Sequence, residues 1–269
     1  MRNKKLILAS CLLSIILWTF SPVISNATSV LTIDKSLLNQ GAVTVKGLPK
    51  DSQGLLIRIS KGLEHYDYQI TEGQAYPLQM GNGTYHILLA TLVNANQYRV
   101  LSKEQVVVQI NNESSIFLHS IPNVSWKEAL KVSEKAKELV EGLTTDAEKT
   151  KAIYSYITHT IAYDWKKVEG LGQNYTPNLD QVYVSGSGIC YDYSAVFAGM
   201  LRSVGVPTKL IMGYNKSNLE VYHAWNQVWL NDEGRWVTID TTYDALYVQN
   251  NKVAAMEKIE SDYIIHKVY

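Results

Sequence analysis

The chain has 269 residues, 46% of them hydrophobic, with 25 basic and 25 acidic side chains and two cysteines. An even balance with no basic block excludes a binder of nucleic acid or anionic membrane held by bulk charge. The length suits two modest domains with cores of their own.

Arg2, Lys4 and Lys5, the apolar run from Leu6 to Phe20 and the small residues Ser25-Asn26-Ala27 read as a secretory leader over residues 1–27. The run is short against the about 20 residues of a bilayer span, so no stable membrane insertion is expected once it is removed. Leu8-Ala9-Ser10-Cys11 looks like a lipoprotein box, but most of the apolar run follows Cys11, which therefore reads as an ordinary leader residue. The leader holds three basic residues and no acidic one, so the mature chain carries 22 basic and 25 acidic residues. Cys190 is then its one thiol, and an exported chain with a single cysteine suggests a free, reactive group. The expected location is secreted or cell-surface.

Residues 28–120 read as strands. GLLIRIS (54–60), TYHILLATL (84–92) and EQVVVQI (104–110) are β-favouring runs between breakers such as Gly47, Pro49 and the Gly81-Asn82-Gly83 turn. Short strands at this spacing predict an immunoglobulin-like β-sandwich. His65, His86 and His119 stand singly in it, without a partner at metal-site spacing.

The pattern changes near Pro122, and residues 121–269 read as a second, α+β domain. Ser125-Trp126-Lys127-Glu128 is a capping box that predicts a helix carrying Ala129, Val132, Ala136 and Leu139 and stopping at Gly142. Thr145-Asp146-Ala147-Glu148 opens a second helix, and Gly170-Leu171-Gly172-Gln173 begins a loop to about residue 186. A third helix starts at Cys190 behind Gly186 and Gly188, carries Phe197, Leu201 and Val204, and closes at Gly205 and Pro207. HAWNQVWL (223–230) and RWVTID (235–240) form a hairpin through Asn231–Gly234.

If Leu230 faces Arg235, then Trp225 faces Asp240, and alternation puts His223 and Asp240 on one face as diagonal neighbours roughly 7–8 Å apart. A thiol at a helix N-terminus sees free N–H groups and the positive end of the helix dipole, which favour its anion. An imidazole beside it takes the proton, and a carboxylate orients that imidazole. Cys190, His223 and Asp240 supply those parts in chain order, and the Cys190 N–H is a candidate oxyanion donor. A zinc site from the same three side chains would be an unusual set. Trp225 shares the His223 face and reads either as a roof over the site or as core packing. Tyr191 is a candidate cleft residue.

GSGICYDYSAVFAGMLRSVGVPTKLIMGY resembles the nucleophile block of the transglutaminase-like superfamily, and HAWNQVWL with RWVTIDTT resembles its histidine and aspartate strands. The resemblance covers roughly residues 125–245 and departs from many relatives at Thr241, where they carry proline. It implies a papain-like α+β core after the sandwich, with the triad on Cys190, His223 and Asp240; Trp225 and Tyr191 are candidate substrate contacts from their places beside His223 and Cys190. It further implies a transglutaminase, or a peptidase or deamidase, acting on peptide or protein amides, some of them cell-wall associated, with no cofactor. No acidic loop suits calcium. The competing class is a cell-surface binding or structural protein of the same fold whose triad is unused.

Overall fold

The computed structural model describes residues 31–49, 54–94, 97–172 and 175–269. The leader expected over 1–27, with Cys11, lies outside them. No helix among the described residues is long and apolar enough to cross a membrane.

The N-terminal region is built of strands. β1 (Thr32–Asp34), β2 (Ala42–Lys46) and β5 (Tyr76–Pro77) make one antiparallel sheet in the order β1-β2-β5. β3 (Leu55–Lys61), β4 (Glu64–Gln69), β6 (Gly83–Asn94) and β7 (Gln97–Val108) make another, in the order β4-β3-β6-β7. Alternation does the sorting: Leu55, Ile57 and Ile59 of β3 and Tyr85, Ile87 and Leu89 of β6 point inward and bury with Val43 and Val45 of the other sheet. The three strand runs expected at 54–60, 84–92 and 104–110 coincide with β3, β6 and β7. β4, EHYDYQ, gave no such signal, because only Tyr66 and Tyr68 face the core.

The C-terminal region mixes helices and strands. It runs α1 (Leu130–Leu139), α2 (Asp146–Thr160), β8 (Ala162–Tyr163), α3 (Trp165–Glu169), α4 (Leu179–Ser185), β9 (Ser187–Gly188) and α5 (Cys190–Ser203). There follow β10 (Thr208–Asn215), β11 (Asn218–Leu230), β12 (Arg235–Ile239), α6 (Thr241–Val248), β13 (Glu257–Lys258) and β14 (Tyr263–Val268). Five strands form an antiparallel sheet in the order β13-β12-β11-β10-β14. Helix α5 packs on it and is buried from Asp192 to Arg202.

Two local expectations are corrected. The Ser125–Glu128 box does not form: α1 begins at Leu130, and Glu128 instead accepts the Ser120 hydroxyl at 3.0 Å. The free N–H groups of α1 go to Asp180 on α4, from Val132 at 3.0 Å and Lys131 at 3.3 Å. A tertiary cap has displaced the local one. The expected loop to residue 186 contains α4, capped by Asn178 through the Gln181 N–H at 2.9 Å. The Thr145–Glu148 box forms as read.

The two regions meet along the chain's last residues. Tyr269 packs edge-on to Tyr66 at 5.5 Å, and Lys267 Nζ donates to the His65 carbonyl at 2.8 Å. Buried Arg202 on α5 donates to the carbonyls of Thr208 (2.8 Å), His119 (2.9 Å) and Tyr269 (2.9 Å). Phe117 stands perpendicular to Trp236 at 5.6 Å, with the Lys209 ammonium 3.8 Å above the indole.

Candidate active site

Cys190 is the first residue of α5, delivered there by two glycines with different tasks. Gly186 ends α4 in the left-handed conformation (φ 60°). β9 then pairs in parallel with β8, Tyr163 opposite Gly188. A Cβ at Gly188 would lie 2.6 Å from the Asp192 Cβ, so this position has no room for a side chain. As the first helical residue, Cys190 has an N–H with no intrahelical acceptor. Its thiol is half-buried and is the free cysteine of the described residues.

The β11–β12 register is the one the spacing predicts, Leu230 opposite Arg235. β12 stops one residue early, however, and Asp240 is the N-cap of α6, its Oδ1 accepting the Tyr243 N–H at 3.0 Å. Its Oδ2 accepts His223 Nε2 at 2.7 Å. That bond leaves the imidazole's other nitrogen free of Asp240, and Cys190 lies near enough to the ring to favour its charged form. Asp240 thus holds His223, with Cys190 at the start of α5 beside the ring. Burial disfavours a charged His223, but the Asp240 carboxylate, by charge and hydrogen bond, and Cys190 outweigh it and raise the imidazole's pKa to about 10.

Trp225 is 1% exposed and lies behind the ring, with centroids 6.1 Å apart and planes 20° from parallel. Buried and nearly parallel to the imidazole, it packs against the ring. Gly213 faces His223 across β10 and β11, and a Cβ there would strike the Ile264 carbonyl at 1.9 Å. Tyr191 accepts a hydrogen bond from Asn123 Nδ2 at 2.8 Å and lines a cleft of ≈ 1060 Å³ between the two regions.

Sequence reasoning missed three residues around this constellation. Tyr263 on β14 donates to Asp240 Oδ2 at 3.2 Å and its ring lies 4.8 Å from Trp225. Asp192, fully buried, accepts the Ile189 N–H at 2.9 Å, Lys167 Nζ at 2.6 Å and the Tyr175 hydroxyl. Burial, the hydrogen bond to Asp192 and its charge push the Tyr175 phenol far above its ordinary value, so it stays a donor. Asp192 stood three residues into the helix, an N-terminal acidic position that was a usable signal. Tyr263 offered none.

Residues 133–241 match the family model described as the transglutaminase-like superfamily. A kyphoscoliosis peptidase of Homo sapiens is 30% identical over 121 residues, 42% of this chain and 18% of that protein. A protein-glutamine gamma-glutamyltransferase of Pseudomonas aeruginosa is 29% identical over 75 residues, 24% of this chain and 11% of the relative. The chain thus spans less than a fifth of the length of either. The periplasmic domain of TgpA from Pseudomonas aeruginosa aligns over 82% of this chain and 95% of its own at 15% identity, with a TM-score of 0.37.

The raised His223 pKa makes a prediction about stability. The folded value, about 10, lies above the ordinary 6.5. The imidazolium–carboxylate pair therefore contributes fully below the unfolded value and is lost as pH rises through the folded one. The Tm gap between the parent and His223→Ala should be widest at about pH 6 and should shrink at about pH 11. A gap that stays constant over that range would show that His223 is not charged in the folded protein.

Proposed function

We propose, from the premise that residues 133–241 belong to the transglutaminase-like superfamily, that this chain is an exported thiol enzyme acting on amide bonds of peptides or proteins. The His223–Asp240 hydrogen bond beside the N-terminus of α5, where Cys190 stands, is the observation that supports the reading. The reacting form in this mechanism is a Cys190 thiolate beside a His223 imidazolium. The sulfur attacks the amide carbonyl carbon, and the Cys190 N–H is placed to donate to the oxygen as it becomes an anion. The imidazolium gives its proton to the departing nitrogen, and collapse leaves a thioester on Cys190 with a neutral imidazole. That imidazole takes a proton from the acceptor as it attacks the thioester, releasing the acyl group and restoring the ion pair. Asp240, anchored by the α6 N-terminus and Tyr263, holds the ring's Nε2 throughout. Water as acceptor makes the enzyme a peptidase or deamidase; a primary amine makes it a transglutaminase. The relatives include a peptidase and a gamma-glutamyltransferase, so both products are to be assayed.

Cys190→Ala should fold as the parent does and lose turnover at least about 1000-fold on any amide the parent cleaves or transfers. His223→Ala should slow alkylation of Cys190 by iodoacetamide about tenfold at neutral pH, because it removes the adjacent cation. Equal alkylation of parent and His223→Ala would count against the thiol reading and favour the non-catalytic class.

The same proposal divides the mature chain into an immunoglobulin-like sandwich over 28–120 and the catalytic domain over 121–269. Separate buried clusters, one around Ile57 and Tyr85 and one around Phe197 and Val228, support the division. A 121–269 fragment should melt cooperatively, at a lower Tm than the whole chain because Tyr269 and Trp236 lose their partners across the junction. A non-cooperative melt would mean that the two units share a core.

Export through residues 1–27 completes the reading. N-terminal sequencing of protein recovered outside the producing cell should start near residue 28, and an intact Met1 would refute it.

A further inference from the structure

The cleft of ≈ 1060 Å³ has one wall from each region. One wall is the edge strand β4, through Asp67, Tyr68 and Gln69; the other includes Ile189 and Tyr191, the two neighbours of Cys190 in the chain. The Ile70 N–H donates to the Leu55 carbonyl at 2.9 Å, which sets the phase of the β3–β4 ladder. In an antiparallel pair the hydrogen-bonded residues alternate. Residues 64, 66 and 68 thus bond β3, while residues 65, 67 and 69 turn their N–H and C=O groups away from the sheet. The His65 carbonyl is taken by Lys267 and the Gln69 carbonyl by the Tyr76 hydroxyl at 3.3 Å. Both backbone groups of Asp67 and the N–H of Gln69 have no partner among the described residues.

An unpaired edge is a template for another strand. The charge around it is one-sided. Three carboxylates, Asp67, Glu72 and Glu128, line the cleft, and no Lys or Arg does. Arg58 neutralises Asp67 from outside the lining, with bonds of 2.7 and 2.6 Å. Glu72 and Glu128 have no ion-pair partner among the described residues. Tyr175, Tyr191 and Tyr269 add aromatic surface suited to the stems and charged heads of basic side chains.

We propose that this cleft binds an extended polypeptide segment bearing lysine or arginine, which adds as a strand to the free edge of β4 and is thereby laid against the N-terminus of α5. The N-terminal region then forms half of the substrate site. Presentation of an amide to Cys190 rests on the thiol chemistry proposed above; the binding itself does not.

The test reads binding on the full chain carrying Cys190→Ala, by fluorescence anisotropy of two labelled ten-residue peptides, one alternating Lys and Thr and the other Glu and Thr. The Lys peptide should bind and the Glu peptide should not. Glu72→Lys with Glu128→Lys should weaken the Lys peptide at least about tenfold. Gln69→Pro deletes an outward N–H while leaving the β3 ladder whole, and it should weaken binding about tenfold where Gln69→Ala does not. Circular dichroism and Tm confirm that each variant is folded. Equal binding of the two peptides, absence of binding by the Lys peptide, or equal affinity of folded Gln69→Pro and Gln69→Ala overturns the proposal. Since Cys190 is absent from the protein tested, failure of the thiol chemistry leaves this readout untouched.

Discussion

The carboxylate of Asp192, buried without exposure one turn into α5, organises what surrounds it. A charge in that position is tolerated only with partners, and removing one partner of such a set costs about 3–5 kcal/mol. Its three donors come from different places. The Ile189 N–H ties the backbone immediately before Cys190, while Lys167 on α3 and Tyr175 bring in the segment that follows β8. One side chain thus sets the entry to α5, excludes any residue but glycine at 188, and holds part of the wall of the cleft to which Tyr175 contributes. Lys167 also leaves the region next to the thiol without an uncompensated negative charge.

Asp240 plays the matching part for the imidazole. Its two oxygens divide the work: Oδ1 caps α6, and Oδ2 receives His223 and Tyr263. A helix N-terminus and two side-chain donors fix this carboxylate in place beside the ring. That anion keeps the half-buried ring charged well above neutral pH. Trp225 stacks against the ring and limits its rotation, and Tyr263 packs on that indole at 4.8 Å. Asp244, one turn into α6, is buried with Lys258 and the Tyr154 hydroxyl at 2.9 Å, so the helix that Asp240 caps is itself anchored to α2.

The two regions are joined by contacts of mixed kind. Arg202 lies at the far end of α5 from Cys190 and gathers three carbonyls, one each from the segment before α1, the start of β10 and the last residue. Tyr269 in turn packs on Tyr66 and Tyr68 of β4. The helix that begins with the thiol therefore ends on the residues that hold β4 in place. The cleft between them is a consequence of that span, with one wall set by each end.

The sequence by itself determined what depends on near neighbours and on period. β-Favouring runs between turn breakers marked β3, β6 and β7, the Thr145–Glu148 box opened α2, and glycine before Cys190 marked the start of α5. The turn length at 231–234 gave the β11–β12 register and hence the approach of His223 to Asp240. It did not determine which polar groups meet once faces are buried. Ser125 and Glu128 held a good local cap, yet α1 took its cap from Asp180, 48 positions away from Val132. Tyr263 reaches Asp240 only because β14 returns to pair with β10, and Asp192 acquires Lys167 and Tyr175 only when the segment after β8 folds over α5. Period tells which face of an element is buried, while the identity of what lies across from it is decided by packing. A buried donor or acceptor takes the nearest partner in space, whatever the separation along the chain.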